Sequence, residues 1–306
     1  MRFWILLAVI VFTTYFAIQR MMHPQLNHNS TIDRISHPLD TRLRYRIGQV
    51  DPRFNLNHEQ IQRLAQQGAD IWHTGTGQNF FVYDPNAQLT INLIYDERQA
   101  ESSARSQEIR ILENTRQYTD AEQQKIQHMD QQIQVDKREL EIRQTNYQQR
   151  LDQYNQMIHN MNQSQQRYGD AAMQQIQEQK QQLQQQQYEL QQYIDDYNRK
   201  IGQLNQQVDS TNSISQQFNQ SVDQFNRRFQ PRQFDKGVFN GQQINIYEFQ
   251  SNDDLRITIA HELGHALGLD HNQDPKALMY PMMKDQDLAN FHLAAADLNM
   301  LKNREQ

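Results

Sequence analysis

No cysteine occurs among the 306 residues. That excludes disulfide staples, thiolate-held zinc, iron–sulfur clusters and a thiol nucleophile. Positive charge is also in short supply. Thirty Lys and Arg stand against 36 Asp and Glu, a formal −6, so no basic field gathers nucleic acid. Core-forming residues are few: 37% are hydrophobic, and mean hydropathy is −0.95. From 97 to 230 there is no proline, and glycine appears only as Gly169 and Gly202. Glutamine fills the gap, with about 50 residues against about a dozen at ordinary usage. The composition points to something long, thin and polar joined to something smaller that holds the core.

The one long apolar run is Phe3 to Ile18, uncharged and flanked by Arg2 and Arg20. Its length is short for a span and long for the apolar stretch of a cleaved signal. No small-x-small cleavage site follows, since Tyr15 stands at −3 from Ala17. Residues 1–20 are therefore expected to be an uncleaved signal anchor. A cleaved signal and a buried core helix are the alternatives. The first two send the remainder to the extracytoplasmic side, membrane-anchored or secreted. Residues 21–40, rich in His, Pro, Asn and Ser, read as a linker.

Residues 41–96 carry the opening of a small domain. Leu43, Tyr45 and Ile47 alternate as a strand that stops at Asp51-Pro52. Asn57 with Gln60 predicts a capping box. Ile61, Leu64, Ala65, Gly68 and Trp72 then follow at helical spacing. Phe80–Tyr83 and Leu89–Tyr95 read as two more strands.

Residues 97–230 are glutamine-rich yet periodic. Ile126, Ile133, Leu140, Tyr147, Tyr154, Met161 and Tyr168 recur every seven residues. After Gly169-Asp170 the stride resumes out of phase at Ile176, Leu183, Leu190, Tyr197 and Leu204, then Phe218 and Phe225. Ile194, Ile201, Val208, Val222 and Phe229 add a second stripe, an a/d seam. In the first half Asp136, Arg143 and Arg150 interrupt that stripe. The expectation is an antiparallel coiled-coil hairpin turning near Gly169, returning the chain to the unfinished domain. A disordered prion-like tract and an intermolecular rod are the alternatives.

Residues 231–306 contain the chemistry. Ile244–Phe249 alternates as a strand, and Asp253-Asp254 opens a helix with acid where the dipole favours it. On that helix stands His261-Glu262-Leu263-Gly264-His265-Ala266-Leu267-Gly268-Leu269-Asp270-His271. His261 and His265, at i and i+4, share one helical face and can share one metal. Glu262 is placed to approach the open side of that metal. Gly268 can adopt the left-handed conformation that ends a helix and brings His271 round as a third ligand. Three histidines with a vacant fourth position is the pattern of one catalytic Zn²⁺.

The eleven-residue stretch resembles that of the metzincin zinc endopeptidases, and Ala277-Leu278-Met279-Tyr280-Pro281 resembles the Met-turn of matrixins and their bacterial relatives. The resemblance implies an α+β fold: a metzincin-like domain with a twisted mixed sheet and an active-site helix, here interrupted by the coiled-coil arm and preceded by the anchor. It implies Met279 beneath the metal, Glu262 as general base, and the Ile244–Phe249 strand as the edge that pairs with an extended protein or peptide substrate. Leu267, Pro281 and Met283 become candidates for the apolar pocket. Departures are Asn272 in place of a common Ser, Met283 in place of a pocket tyrosine, and Ala296-Asp297 in place of paired aspartates. The family's structural-ion loop is not recognisable, and a cysteine-switch prodomain is excluded. A membrane-tethered scaffold with a vestigial peptidase domain, and hydrolysis of a cell-wall peptide, are the rival readings. The arm itself reads as a spacer or as a docking element for a partner protein.

Overall fold

The computed structural model describes residues 2–163, 169–230, 234–282 and 286–304. The chain divides into two compact units: Met1–Gln107 with Pro231–Gln306, and Glu108–Gln230.

The first unit is built on a five-stranded sheet in the order β2-β1-β3-β5-β4. Its strands are β1 (Leu43–Val50), β2 (Phe81–Tyr83), β3 (Leu89–Leu93), β4 (Gly237–Phe239) and β5 (Gln243–Ile246). β1 pairs in parallel with β2 (Leu43 opposite Phe81) and with β3 (Tyr45 opposite Leu89). β3 pairs in parallel with β5, Ile91 lying opposite Ile244. Only β4 is antiparallel, with Gly237 opposite Ile246. All five residues of β3 are buried, as a central parallel strand covered on both faces requires.

Alternation predicts β5 but extends it to Phe249, and the family resemblance assigns it to the edge. The strand instead stops at Ile246 and lies between β3 and β4, so β4 forms the edge. Asn240-Gly241, the hairpin signal ahead of β5, marks this missed strand, and Gly241 has φ +92°.

Helix α3 (His58–Thr76) begins with the expected capping box, Asn57 and Gln60 each bonding the other's backbone. It buries Ile61, Leu64, Ala65, Gly68, Ala69 and Trp72. Helix α6 (Asn252–Ala266) packs against it, and the Trp72 indole donates to the Ala260 carbonyl at 2.9 Å. Leu43, Tyr45, Ile91, Leu93, Ile244 and Ile246 from the sheet meet Ile61, Trp72, Leu255, Ile259 and Leu263 in one core. Each fully buried Leu or Ile contributes about 1.5–3 kcal/mol of transfer free energy.

The segment expected to be a linker is folded onto this unit. After α1 (Arg2–Met22), a 3₁₀ turn (Pro24–His28) leads to α2 (Thr31–Ser36), which Ser30 and Asp33 close with a capping box. The Asn29 amide donates to the Arg42 carbonyl at 2.9 Å and accepts the Arg44 N–H at 2.8 Å, a side chain acting as a rung on β1. Gln25 donates to the Thr41 carbonyl. Polar composition suggested a linker because these bonds are invisible until the partner strand is placed. Among the described residues no helix is both long and apolar enough to cross a membrane.

The chain leaves and re-enters this unit through one seam. The Gln99 side chain takes the Phe249 N–H at 2.9 Å and donates to its carbonyl at 3.1 Å. Ser102 donates to Glu248 at 2.6 Å, and the Arg98 guanidinium stacks 3.6 Å from the Tyr247 ring centroid.

The second unit consists of most of α4 (Glu97–Gln163) and of α5 (Asp170–Arg228). At 1.5 Å per residue these helices are about 100 and 90 Å long. Cross-helix partners fall in number along α5 as they rise along α4. Glu108 meets Arg228, Glu122 meets Gln207, Asp136 meets Lys200, and Arg143 covers Tyr193. The two helices therefore run antiparallel, as a hairpin rather than a rod. Ile126, Ile133, Leu140, Tyr147, Tyr154 and Met161 all turn inward, as do Ile176, Leu183, Leu190, Tyr197 and Leu204. The gap in the α5 stride is filled by Thr211, only 3% exposed. Arg143 and Arg150 stand exposed on the weak seam. Tyr168, the last residue of the first heptad run, lies outside the described residues, as does Pro231, the first proline after the arm.

Candidate metal centre

Helix α6 starts where Ser251 accepts the Asp254 N–H, with Asp253 and Asp254 in its first turn. It ends at Ala266, and Gly268 follows at φ +87°. The Leu269 N–H returns to the Gly264 carbonyl at 3.1 Å, and the chain reverses as a left-handed cap allows. That reversal carries His271 back to the helix face holding His261 and His265. Ring centroids are 4.8 Å apart for His261–His265, 5.2 Å for His261–His271 and 4.9 Å for His265–His271. One nitrogen from each ring lies within 4.8 Å of the other two.

Hydrogen bonds choose which nitrogen faces inward. His261 Nδ1 lies 2.6 Å from the Leu278 carbonyl, and His265 Nδ1 lies 2.7 Å from the Leu269 carbonyl. A carbonyl can only accept, so Nδ1 carries the proton and Nε2 presents its lone pair. Burial pushes the His261 pKa down to about 4 and lowers that of His265, so both rings stay neutral. Nε2 of His261 and Nε2 of His271 stand 3.2 Å apart. Two nitrogens at 2.0–2.1 Å from one tetrahedral zinc are separated by about 3.3 Å. The donor set, tautomers and spacing all fit Zn²⁺. Among the described residues this triad is the one group of His, Asp or Glu placed to share an ion.

Glu262 lies against β4, only 4% exposed. Burial pushes its pKa up to about 7; the charge of Asp235 adds to the rise, and a hydrogen bond from the Phe239 backbone opposes it. Met279 is fully buried, and a Cβ placed on Gly264 would meet its Sδ at 2.3 Å and Trp72 Cζ2 at 2.8 Å. Glycine at 264 therefore lets the methionine close against the helix between His261 and His265.

The turn around Met279 is held by Asp297, fully buried at the start of α7 (Ala295–Arg304). Asp297 accepts the N–H groups of Leu278, Met279 and Ala294 at 2.9, 3.0 and 3.0 Å. Asn272 supplies a fourth donor at 3.2 Å, which gives this departure a structural role. The single retained aspartate thus fixes the loop whose Leu278 carbonyl orients His261. Neither this chain of contacts nor the β4 contact of Glu262 has a local signature in the sequence; only Asn240-Gly241 hints at β4.

The pocket candidates separate. Leu267 is fully buried within the hydrophobic core, its carbonyl taken by Arg304 at 2.6 Å, and offers no surface to a ligand. Pro281 is exposed. Met283 lies outside the described residues.

A mixed sheet backed by a helix bearing two histidines, with a third on the returning loop, defines the class of three-histidine metalloproteins. Within it, the sequence description of matrixins matches residues 38–303, and the chain belongs to the matrixin family. It is similar to macrophage metalloelastase of Oryctolagus cuniculus, 51% identical over 49 residues, which is 16% of this chain and 11% of that protein. Stromelysin-1 of Rattus norvegicus is 48% identical over 50 residues, 16% of this chain and 10% of its own length. Matrix metalloproteinase-20 of Homo sapiens is 56% identical over 39 residues, 13% and 8% respectively. The chain thus spans about a tenth of the length of the curated relatives it matches.

Proposed function

We propose that this protein is a zinc-dependent endopeptidase with one catalytic Zn²⁺ on His261, His265 and His271 and with Glu262 as general base. One observation carries the reading: three imidazole nitrogens converge with their tautomers set by the Leu278 and Leu269 carbonyls, beside a buried carboxylate. Zinc bound there supplies a Lewis acid that acidifies water, polarises a peptide carbonyl and favours the ionised form of a nearby carboxyl group. Glu262 takes a proton from the attacking water on a carboxylate oxygen and delivers it to the leaving amine nitrogen. Its burial keeps competing water away from that oxygen. Asp297 and the Met279 turn hold the Leu278 carbonyl, and through it the His261 ring.

β4 is the candidate substrate rail. It is the sheet edge, and its neighbour β5 occupies one side only. An extended peptide that adds to this edge would be aligned by main-chain bonds. This replaces the expectation that placed the rail on β5.

No described helix is long and apolar enough to cross a membrane; the uncharged run Phe3–Ile18 supports a reading of α1 as an export signal that stays on as a tether, which puts the remainder on the extracytoplasmic side. The arm serves as a spacer or as a docking element for a partner protein.

The test is cleavage of a peptide library by the full-length zinc-loaded protein. Chelation should abolish turnover, and Glu262→Ala should lower it by about 10²–10⁴-fold while the variant keeps one zinc per chain. Bound zinc without any Glu262-dependent cleavage would refute the proposal. Extraction from membranes by alkaline carbonate would count against the tether.

A further inference from the structure

We propose that Gly237 is the positioning residue for Glu262, its missing side chain leaving the space in which the carboxylate rests. The inference deepens the endopeptidase reading and rests on it for its kinetic arm. A Cβ built on Gly237 would stand 2.9 Å from Glu262 Cγ, 2.9 Å from Oε1 and 3.0 Å from Ile246 Cδ1. Two residues on, the Phe239 backbone donates to the same carboxylate. Two residues of β4 thus form a seat: Gly237 gives the space and Phe239 gives the hydrogen bond.

The strand cannot retreat from an added methyl group. Lys236, beside Gly237, pairs with Asp254 at 2.6 Å and with Glu248 at 3.2 Å, and its carbonyl accepts the Tyr247 N–H at 2.7 Å. Asp254 is in the first turn of α6, so β4 is clamped to the helix that carries Glu262. On the far side Gly237 is in register with Ile246. Of the atoms in the way, the carboxyl end of Glu262 can rotate most freely. An added methyl group therefore shifts the carboxylate and spares the fold. Gly237 is also absent from the glycines with positive φ, so alanine meets no backbone strain.

The experiment compares Gly237→Ala in two backgrounds of the full-length, zinc-loaded protein. In the parent, kcat should fall by about 10- to 100-fold, the scale for a displacement of about 1 Å at a reacting group. KM, zinc stoichiometry and melting temperature should hold. Glu262→Asp shortens the side chain by one methylene and draws it back from position 237. In that background, adding Gly237→Ala should change kcat less than twofold. An equal loss in both backgrounds, or an unchanged parent kcat, overturns the proposal. A crystal structure of Gly237→Ala tests the geometry without turnover: the Glu262 carboxylate should move while His261 and His265 stay. An unmoved carboxylate refutes the seat, whereas a parent protein that cleaves nothing refutes the endopeptidase reading instead.

Discussion

The unit that holds the three-histidine site and the arm solve the problem of holding a chain together in opposite ways. In the unit carrying the metal centre, more than a dozen apolar side chains are wholly removed from water, Trp72, Tyr45, Ile91 and Leu263 among them. In the arm, Ile133 and Leu183 retain 6% and 9% exposure, and most seam residues are half-buried. The arm gains its order locally instead. Glutamines donate to carboxylates four residues on, as in Gln148–Asp152, Gln174–Glu178, Gln185–Glu189 and Gln191–Asp195. One unit depends on tertiary packing and tolerates buried charge at its site; the other depends on helix propensity and on a thin seam.

The comparison breaks most sharply at Glu262. Glu262→Ala should lower kcat by about 10²–10⁴-fold while circular dichroism, dominated by the arm, stays unchanged. Fluorogenic peptide hydrolysis read beside far-ultraviolet ellipticity checks both halves of that statement. Next comes Gly264→Ala, which drives a methyl group into Met279 and Trp72. Overpacking of this kind costs about 1–3 kcal/mol. The Trp72 fluorescence transition in urea should shift to lower denaturant, and the arm's ellipticity should not follow it.

Charge at the site gives a third handle, read in metal-free protein. The Glu262 carboxyl titrates near pH 7 when folded and near 4.5 when unfolded. The folded state therefore binds more protons between those values, and stability falls as pH rises through the interval. Glu262→Gln removes that penalty. It should be more stable than the parent above pH 7 by up to about 3 kcal/mol, with the gain vanishing below about pH 4.5. Urea titrations in chelator across this range decide the point; a pH-independent difference would contradict it. The smallest effect belongs to the arm surface. Lys200→Ala removes exposed pairings with Asp136 and Asp196 and should cost under about 1 kcal/mol. Thermal melting of the helical signal measures it, with cleavage kinetics untouched.

The same contrast explains what could be read in the sequence. The Asn57–Gln60 capping box, the α6 histidines and the heptad stripes are local patterns, and each corresponds to an observed element. Gln25 and Asn29 fold residues 21–40 back through polar bonds to Thr41, Arg42 and Arg44, which composition cannot distinguish from a linker. β4 has three residues, and its pairing gives it meaning only once β5 is in place. The reassignment of the sheet edge follows from that, since edge status is a property of neighbours. At the candidate site, the convergence of His261, His265 and His271 was legible because a helix turn and a glycine reversal dictate it. The anchoring of the Met279 loop by Asp297 was not, for its donors come from three separate places in the chain.

The ion pair between Glu108 and Arg228, at 3.6 Å across the open end of the arm, bears on the order of folding. β3 and β5 are neighbours although about 150 residues separate them, and closing a flexible loop of that length costs about 4 kcal/mol in chain entropy. If the two helices zip before the sheet exists, positions 108 and 228 are drawn together, which would shorten the effective loop to a few tens of residues and lower that cost to about 3 kcal/mol. In that order of events the glutamine-rich insert would act as a clasp on the nascent chain, and the order is what a refolding measurement tests. Weakening its seam, as in Ile133→Asn, should slow refolding of the sheet while leaving its unfolding rate alone.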